Sequence, residues 1–234
     1  MTESTASAKT TAARACWDCG APATGEHFCP SCSKIQPQPP HQDYFAFFAL
    51  PRKLALDRQQ LEQKFHQLSW KLHPDNFSTA TPYERDLSLE KAAVLNDAYR
   101  TLRDPVARVE YLLGLEGIRR EGEIKQQAPP ELLEEVFELN EHLEELRAAK
   151  RAGTDRRELD DLRHRLEAAR REFEGKLEAV DAELSACFAE WDALLDSNPD
   201  GAARKQTMEK MSEVLNRHSY LRNLVRNVTE ELEA

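Results

Sequence analysis

A chain of 234 residues, 40% hydrophobic and 32% charged, is long enough for two modest domains but too polar for one large enzyme core. Its net charge of −10 is unevenly spread: residues 1–113 carry 13 Lys/Arg against 13 Asp/Glu, and residues 114–234 carry 19 against 29. Phosphate backbones are bound by clustered positive charge, so the acidic half is a poor nucleic-acid surface and better suited to a protein partner.

Leu, Glu, Ala and Arg are abundant, glycines number only eight, and β-branched runs of strand length are nearly absent, which predicts an all-α fold. No run of ~18 apolar residues occurs, so no membrane span is expected. Residues 1–15 read as a disordered tail without the apolar stretch of a secretory signal. A mitochondrial presequence is the rival reading, opposed by Glu3 and by the lack of a Leu/Phe amphipathic face. The expected compartment is accordingly the bacterial cytoplasm, with the mitochondrial matrix as the alternative.

Cys16-Trp-Asp-Cys19 and Cys29-Pro-Ser-Cys32 place two CxxC pairs nine residues apart, in a module expected over 16–35. Each pair makes a tight knuckle presenting two thiolates, and two knuckles complete a tetrahedral four-sulfur site, for which one structural zinc is the first choice. Its bonds would supply folding energy that so short a segment cannot obtain from a core. A mononuclear iron site is the rival, and two structural disulfides would need an oxidising compartment. His27 is near enough to compete as a ligand, but four thiolates already close the site. Cys187, alone on a predicted helix, reads as a buried small hydrophobe.

A Pro-rich linker at 36–42 leads to a first helical domain over 43–113. Leu61, Phe65, Leu68 and Leu72 recur at helical spacing and stop at Pro74. A second helix can begin near Pro82, with Leu89, Ala92, Leu95, Ala98, Tyr99 and Leu102 as its apolar positions, ending at Asp104-Pro105. The loop between the two carries His73-Pro74-Asp75. A His/Asp pair could suggest acid–base chemistry, but no nucleophile or phosphate-binding loop accompanies it, so no enzyme is expected. The order of the short aromatic segment Asp43-Tyr44-Phe45-Ala46-Phe47-Phe48, the amphipathic helix, this loop and the closing Leu95-Asn96-Asp97-Ala98-Tyr99 resembles the J domain. That resemblance implies that His73, Pro74 and Asp75 contact an ATPase chaperone of the DnaK/HscA class and stimulate its ATP hydrolysis. It further implies that basic residues before the loop, here Lys64 and Lys71, meet an acidic chaperone surface. Arg58 and His66 add to this face and Glu62 offsets it, leaving it only thinly positive.

A linker over 114–130 precedes a second helical domain, 131–234, with helical stretches at 131–150, 155–196 and 201–232. Gly153 and Asn198-Pro199-Asp200-Gly201 supply the turns. Leu132, Val136, Leu139, Leu143 and Leu146 form one core stripe, whereas Leu133 and Phe137 point a right angle or more away from it among Glu134, Glu138, Glu141 and Glu144. Seven acidic and no basic residues fall between 131 and 145, so plain solvation of a helix face competes with a contact surface. In the last helix Met211, Leu215, His218, Leu221, Val225, Val228 and Leu232 make an inward stripe, His218 is read as a packed histidine, and Tyr220 is expected to project outward.

With Pro130-Glu131-Leu132-Leu133-Glu134-Glu135-Val136-Phe137-Glu138 and Tyr220-Leu221 added to the J-like segment, residues 16–234 resemble the HscB family, J-type co-chaperones of iron–sulfur cluster biogenesis. The leading Cys-Trp-Asp-Cys-Gly marks the long form with a tetracysteine zinc module. The resemblance implies a C-terminal three-helix domain that binds the scaffold protein IscU through Leu133, Glu134, Phe137, Glu138, Glu141 and Tyr220. The acidic second half and the missing apolar run point to protein partners, with no nucleic acid and no membrane expected. Glu134 and Ser219 depart from the family, which often has an apolar and a basic residue there. A J protein for another client and a zinc-knuckle nucleic-acid-binding protein remain alternatives.

Overall fold

The computed structural model describes residues 14–23, 27–118, 129–197 and 201–234. Most of the expected tail, the centre of the expected 114–130 linker, and the turn at Asn198-Pro199-Asp200 lie outside the described residues. The chain divides into two compact units. One holds the described residues up to Arg52 together with Leu56–Asp104, and the other holds Lys53–Ala55 with the described residues from Pro105 onward.

The first unit begins with a two-residue antiparallel pair, β1 (Arg14–Ala15) and β2 (Pro22–Ala23), and an isolated bridge from Phe28 to Ile35. Helix α1 (Tyr44–Phe47) starts at Asp43, whose carboxylate accepts from Ala46 N and pairs with Arg52 at 2.7 Å. Helix α2 (Arg58–Leu72) is capped by Asp57, which accepts from the N–H groups of Gln59 and Gln60. It ends because Pro74 denies its neighbour helical backbone: His73 sits at ψ 129° and a single 3-10 turn follows over Pro74–Phe77. Helix α3 (Pro82–Arg103) opens on a capping box between Thr81 and Glu84, with Pro82 in its first turn.

Phe45, Phe47, Leu61, Leu72, Leu95, Ala98 and Leu102 close the core of this unit, and Phe65 stacks on Tyr99 at 4.1 Å between α2 and α3. The register of α3 differs from expectation at one position. Leu89 is 57% exposed, and Leu87, Ser88 and Lys91 take the inward places around it. Ser88 is accommodated because its hydroxyl donates to the carbonyl of Leu72 at 2.8 Å, satisfying an orphan acceptor at the end of α2. The apolar spacing could not reveal this, since the deciding partner lies on another helix.

The second unit is built from α4 (Pro105–Leu115), α5 (Leu133–Ala152), α6 (Arg156–Ser197) and α7 (Gly201–Glu233). A 3-10 turn at Pro130–Leu132 leads into α5. Gly153, at φ +65°, ends α5 in a left-handed cap: Gly153 N donates to Lys150 O and Thr154 N to Ala149 O. Leu132, Val136, Leu139, Leu143 and Leu146 are buried as their spacing predicts, as are Leu162, Leu166, Phe173 and Trp191 of α6 and Met211, Leu215, Leu221 and Val228 of α7. Within this unit Asp192 accepts from the N–H groups of Leu54 and Ala55, Lys53 pairs with Asp196, and Arg108 donates to the carbonyl of Leu54. Cys187 and His218 are buried, and His218 Nε2 lies 3.3 Å from Asp181 Oδ1. The all-α expectation holds, the short β1–β2 pair being confined to the cysteine module. No described helix is long and apolar enough to cross a membrane.

Candidate functional site

Three groups of side chains carry chemistry. In the first, the sulfurs of Cys16, Cys19, Cys29 and Cys32 all lie within 4.8 Å of one another. Cys16 and Cys32 are 3.6 Å apart and Cys19 and Cys29 3.7 Å, which no disulfide spans, and a tetrahedral four-thiolate site with metal–sulfur bonds of ~2.3 Å would set its sulfurs ~3.8 Å apart. Each knuckle aims a backbone N–H at its leading sulfur, Asp18 N at Cys16 and Ser31 N at Cys29, both at 3.4 Å, and Gln36 Nε2 donates to Cys16 at 3.2 Å. Against burial, which opposes ionisation, the N–H groups of Cys19 and Asp18 hold the Cys16 thiol down to about 6. Despite the Lys34 N–H, burial and the neighbouring thiols push Cys32 up to about 12. A set of sulfurs that cannot all ionise alone, ringed by donors, is the donor set of a bound cation.

His27 is not part of that set. Its Nε2 faces the carbonyl of Phe47 at 3.0 Å and its Nδ1 faces Lys91 Nζ at 3.4 Å, which fits one neutral tautomer with the proton on Nε2. Burial, then the charge of Lys91, lowers its pKa to about 4. The module therefore packs on the helices behind it. Trp17 meets Tyr83 edge-on at 4.9 Å, its indole N–H donates to Ile35 O, and Lys34 pairs with the buried Glu84. The CxxC spacing reveals the four sulfurs, but none of these contacts.

The second group is the loop at the end of α2. His73 and Asp75 are exposed and Pro74 is half-buried. The N–H of Asp75 donates to His73 Nδ1 at 3.3 Å, and the Asp75 carboxylate lies 3.5 Å from the same nitrogen. Asn76 ties the loop back to α2, donating from Nδ2 to Trp70 O at 2.6 Å and from its backbone to His73 O. Lys71 is exposed. Lys64 turns its ammonium to the carbonyls of Phe48 and Ala49, closing the end of α1. Trp70 is 76% exposed next to Lys71; its separation of two residues from both Leu68 and Leu72, about 200° around the helix, was the available signal for it.

The third group is the outward face of α5. Leu133 is 55% and Phe137 65% exposed, side by side four residues apart. Glu135, Glu144 and Glu145 pair with Lys176, Arg147 and Arg165, whereas Glu134, Glu138 and Glu141 carry no ion pair among the described residues. Tyr220 is half-buried rather than outward, and burial raises its pKa.

A short aromatic helix, an antiparallel hairpin with His-Pro-Asp in its loop, and a separate helical bundle define a J-domain protein, here with a four-cysteine module in front. The mouse protein named iron-sulfur cluster co-chaperone protein HscB is 30% identical over 225 residues, 94% of this chain and 84% of its own length. A Vibrio vulnificus co-chaperone protein HscB homolog is 42% identical over 104 residues, 44% of this chain and 61% of that protein. The crystal structure of human co-chaperone protein HscB matches with a TM-score of 0.63 at 27% identity, covering 93% of this chain and 98% of the other. The chain matches no protein-family model. It belongs to the HscB co-chaperone family.

Proposed function

We propose that the protein is an adaptor that stimulates ATP hydrolysis by a DnaK/HscA-class chaperone and delivers the iron–sulfur scaffold IscU to it, assisting cluster assembly and transfer. The observation that carries this reading is the face of α5. An apolar pair more than half exposed, bordered by three carboxylates that the fold leaves unpaired, costs solvation and gains nothing within the monomer. Leu133 and Phe137 are the apolar anchors for IscU, with Glu134, Glu138 and Glu141 as polar rim and Tyr220 as a partly buried flank.

In the first unit, His73 and Asp75 are exposed side by side and Pro74 restricts the backbone between them, so the chaperone meets a preformed arrangement. Lys71 adds charge beside the loop, while Lys64 acts through its hold on α1. The co-chaperone itself transfers no bond, so the work of hydrolysis stays with the partner.

Zinc is the ion proposed for Cys16, Cys19, Cys29 and Cys32, as a structural ion whose bonds stabilise the module. Metal analysis of the purified chain should find about one zinc per four-sulfur site, and a folded module with four reactive thiols and no metal would overturn this. The adaptor reading is tested by the steady-state ATPase of the cognate chaperone with and without this protein and IscU. Stimulation should be lost with His73→Gln, and IscU retention on the immobilised chain should fall with Leu133→Ala/Phe137→Ala. Undiminished retention would remove the α5 face as the contact.

A further inference from the structure

Trp70 is the most exposed large hydrophobic side chain among the described residues. With His66, Gln67 and Lys71 it lines a notch of about 390 Å³ on the outer face of α2, one turn before His73. The notch and the loop form one piece, because Asn76 of the loop donates to the backbone carbonyl of Trp70 at 2.6 Å. Whatever engages the His-Pro-Asp loop from this side meets the indole.

The charges around it are few. Lys64 is turned toward the carbonyls of Phe48 and Ala49, and His66 lies 3.9 Å from Glu62, which offsets any positive charge it takes up. Arg58 sits 13 residues from Lys71, about 20 Å along the helix. Lys71 is thus the one cation left at the notch among the described residues, too little for binding that depends on charge attraction. A tryptophan, by contrast, offers a large rigid surface at low entropic cost, and aromatic residues in partly formed pockets dominate interface energies.

We propose that Trp70 is the apolar anchor of the chaperone-docking face: the notch accepts an apolar side chain of the ATPase chaperone, Lys71 meets a carboxylate beside it, and apolar burial sets the affinity. The proposal rests on the chaperone-stimulating reading above. It makes this face differ in kind from one held by a row of cations, because apolar burial is insensitive to the screening that weakens exposed charge pairs.

The test is a titration of ATPase stimulation in the cognate DnaK/HscA-class chaperone by the full chain, using wild type, Trp70→Ala, Trp70→Phe and His73→Gln, at about 50 mM and about 300 mM salt. Trp70→Ala should raise the half-maximal concentration about tenfold and leave maximal stimulation intact, with Trp70→Phe in between. The wild-type midpoint should move less than about threefold with salt. Because Trp70 is exposed, the variants should keep the wild-type helical signal and Tm. A Trp70→Ala midpoint within about twofold of wild type, while His73→Gln is silent, overturns the anchor and leaves the chaperone reading standing. A wild-type midpoint that moves tenfold or more with salt also overturns it. Stimulation by His73→Gln equal to wild type overturns both.

Discussion

Lys34 Nζ lies 2.8 Å from Glu84 Oε1, and the same Glu84 carboxylate closes the capping box that starts α3. One buried side chain thus begins the helix behind the loop and anchors the cysteine module to it. Lys34 and Thr81 together lower the Glu84 pKa, the lysine contributing most, so the carboxylate is ionised wherever the protein is folded near neutrality.

Glu84→Ala should therefore do two things at once. Loss of the cap costs about 1 kcal/mol, enough to lower Tm by a few degrees in a chain of this size. Loss of the anchor should change the fluorescence of Trp17, which rests on Tyr83 of the same helix. Lys34→Ala should reproduce the fluorescence change with a smaller fall in Tm. Equal Tm for Glu84→Ala and wild type would refute the double role.

Removing the ion proposed for the four cysteines should act on the same contacts. Chelation, or Cys29→Ser, is expected to expose Trp17 and free His27 from Phe47 while leaving most far-ultraviolet helical signal in place, since α2 to α7 have cores of their own. Fluorescence and circular dichroism followed in one chelator titration would check it. A helical signal that collapses together with the Trp17 change would mean the module nucleates the whole chain.

Lys91 gives the pH dependence. It is almost fully buried among His27, Phe47 and α3, and burial lowers its pKa to about 8, with Glu90 pulling weakly the other way. The unfolded chain holds this proton up to about 10.5, so between about 8 and 10.5 the unfolded state binds more protons and stability rises with pH, by about 3 kcal/mol at most. Lys91→Met should flatten that rise in denaturant titrations across the window. The same slope in variant and wild type would assign it to other groups.

Two neighbours on α5 should behave as opposites. Leu139 is buried in the bundle, and Leu139→Ala should cost about 2–5 kcal/mol. Phe137→Ala, at an exposed site, should change stability by no more than about 0.5 kcal/mol yet weaken IscU binding by more than any change at the paired Glu144. Chemical denaturation and a binding titration on the two variants separate these roles.

Period and punctuation in the sequence alone determined the helices, the four sulfurs and the outward pair. Core stripes recur every three to four residues, prolines and Gly153 mark ends by backbone sterics, and CxxC spacing limits what two thiols can hold. The amino-acid order also revealed His73-Pro74-Asp75, because a helix stop flanked by matching helices is a local pattern. Only the tertiary structure decided which side chains meet across elements. It buried Lys91 and Ser88 where the stripe called for Leu89, since the carbonyl of Leu72 and the ring of His27 await them there. It laid Tyr220 half into the bundle, spent Lys64 on backbone carbonyls, and left Trp70 bare beside the loop. Those outcomes depend on partners many positions away, which periodicity along one helix does not encode.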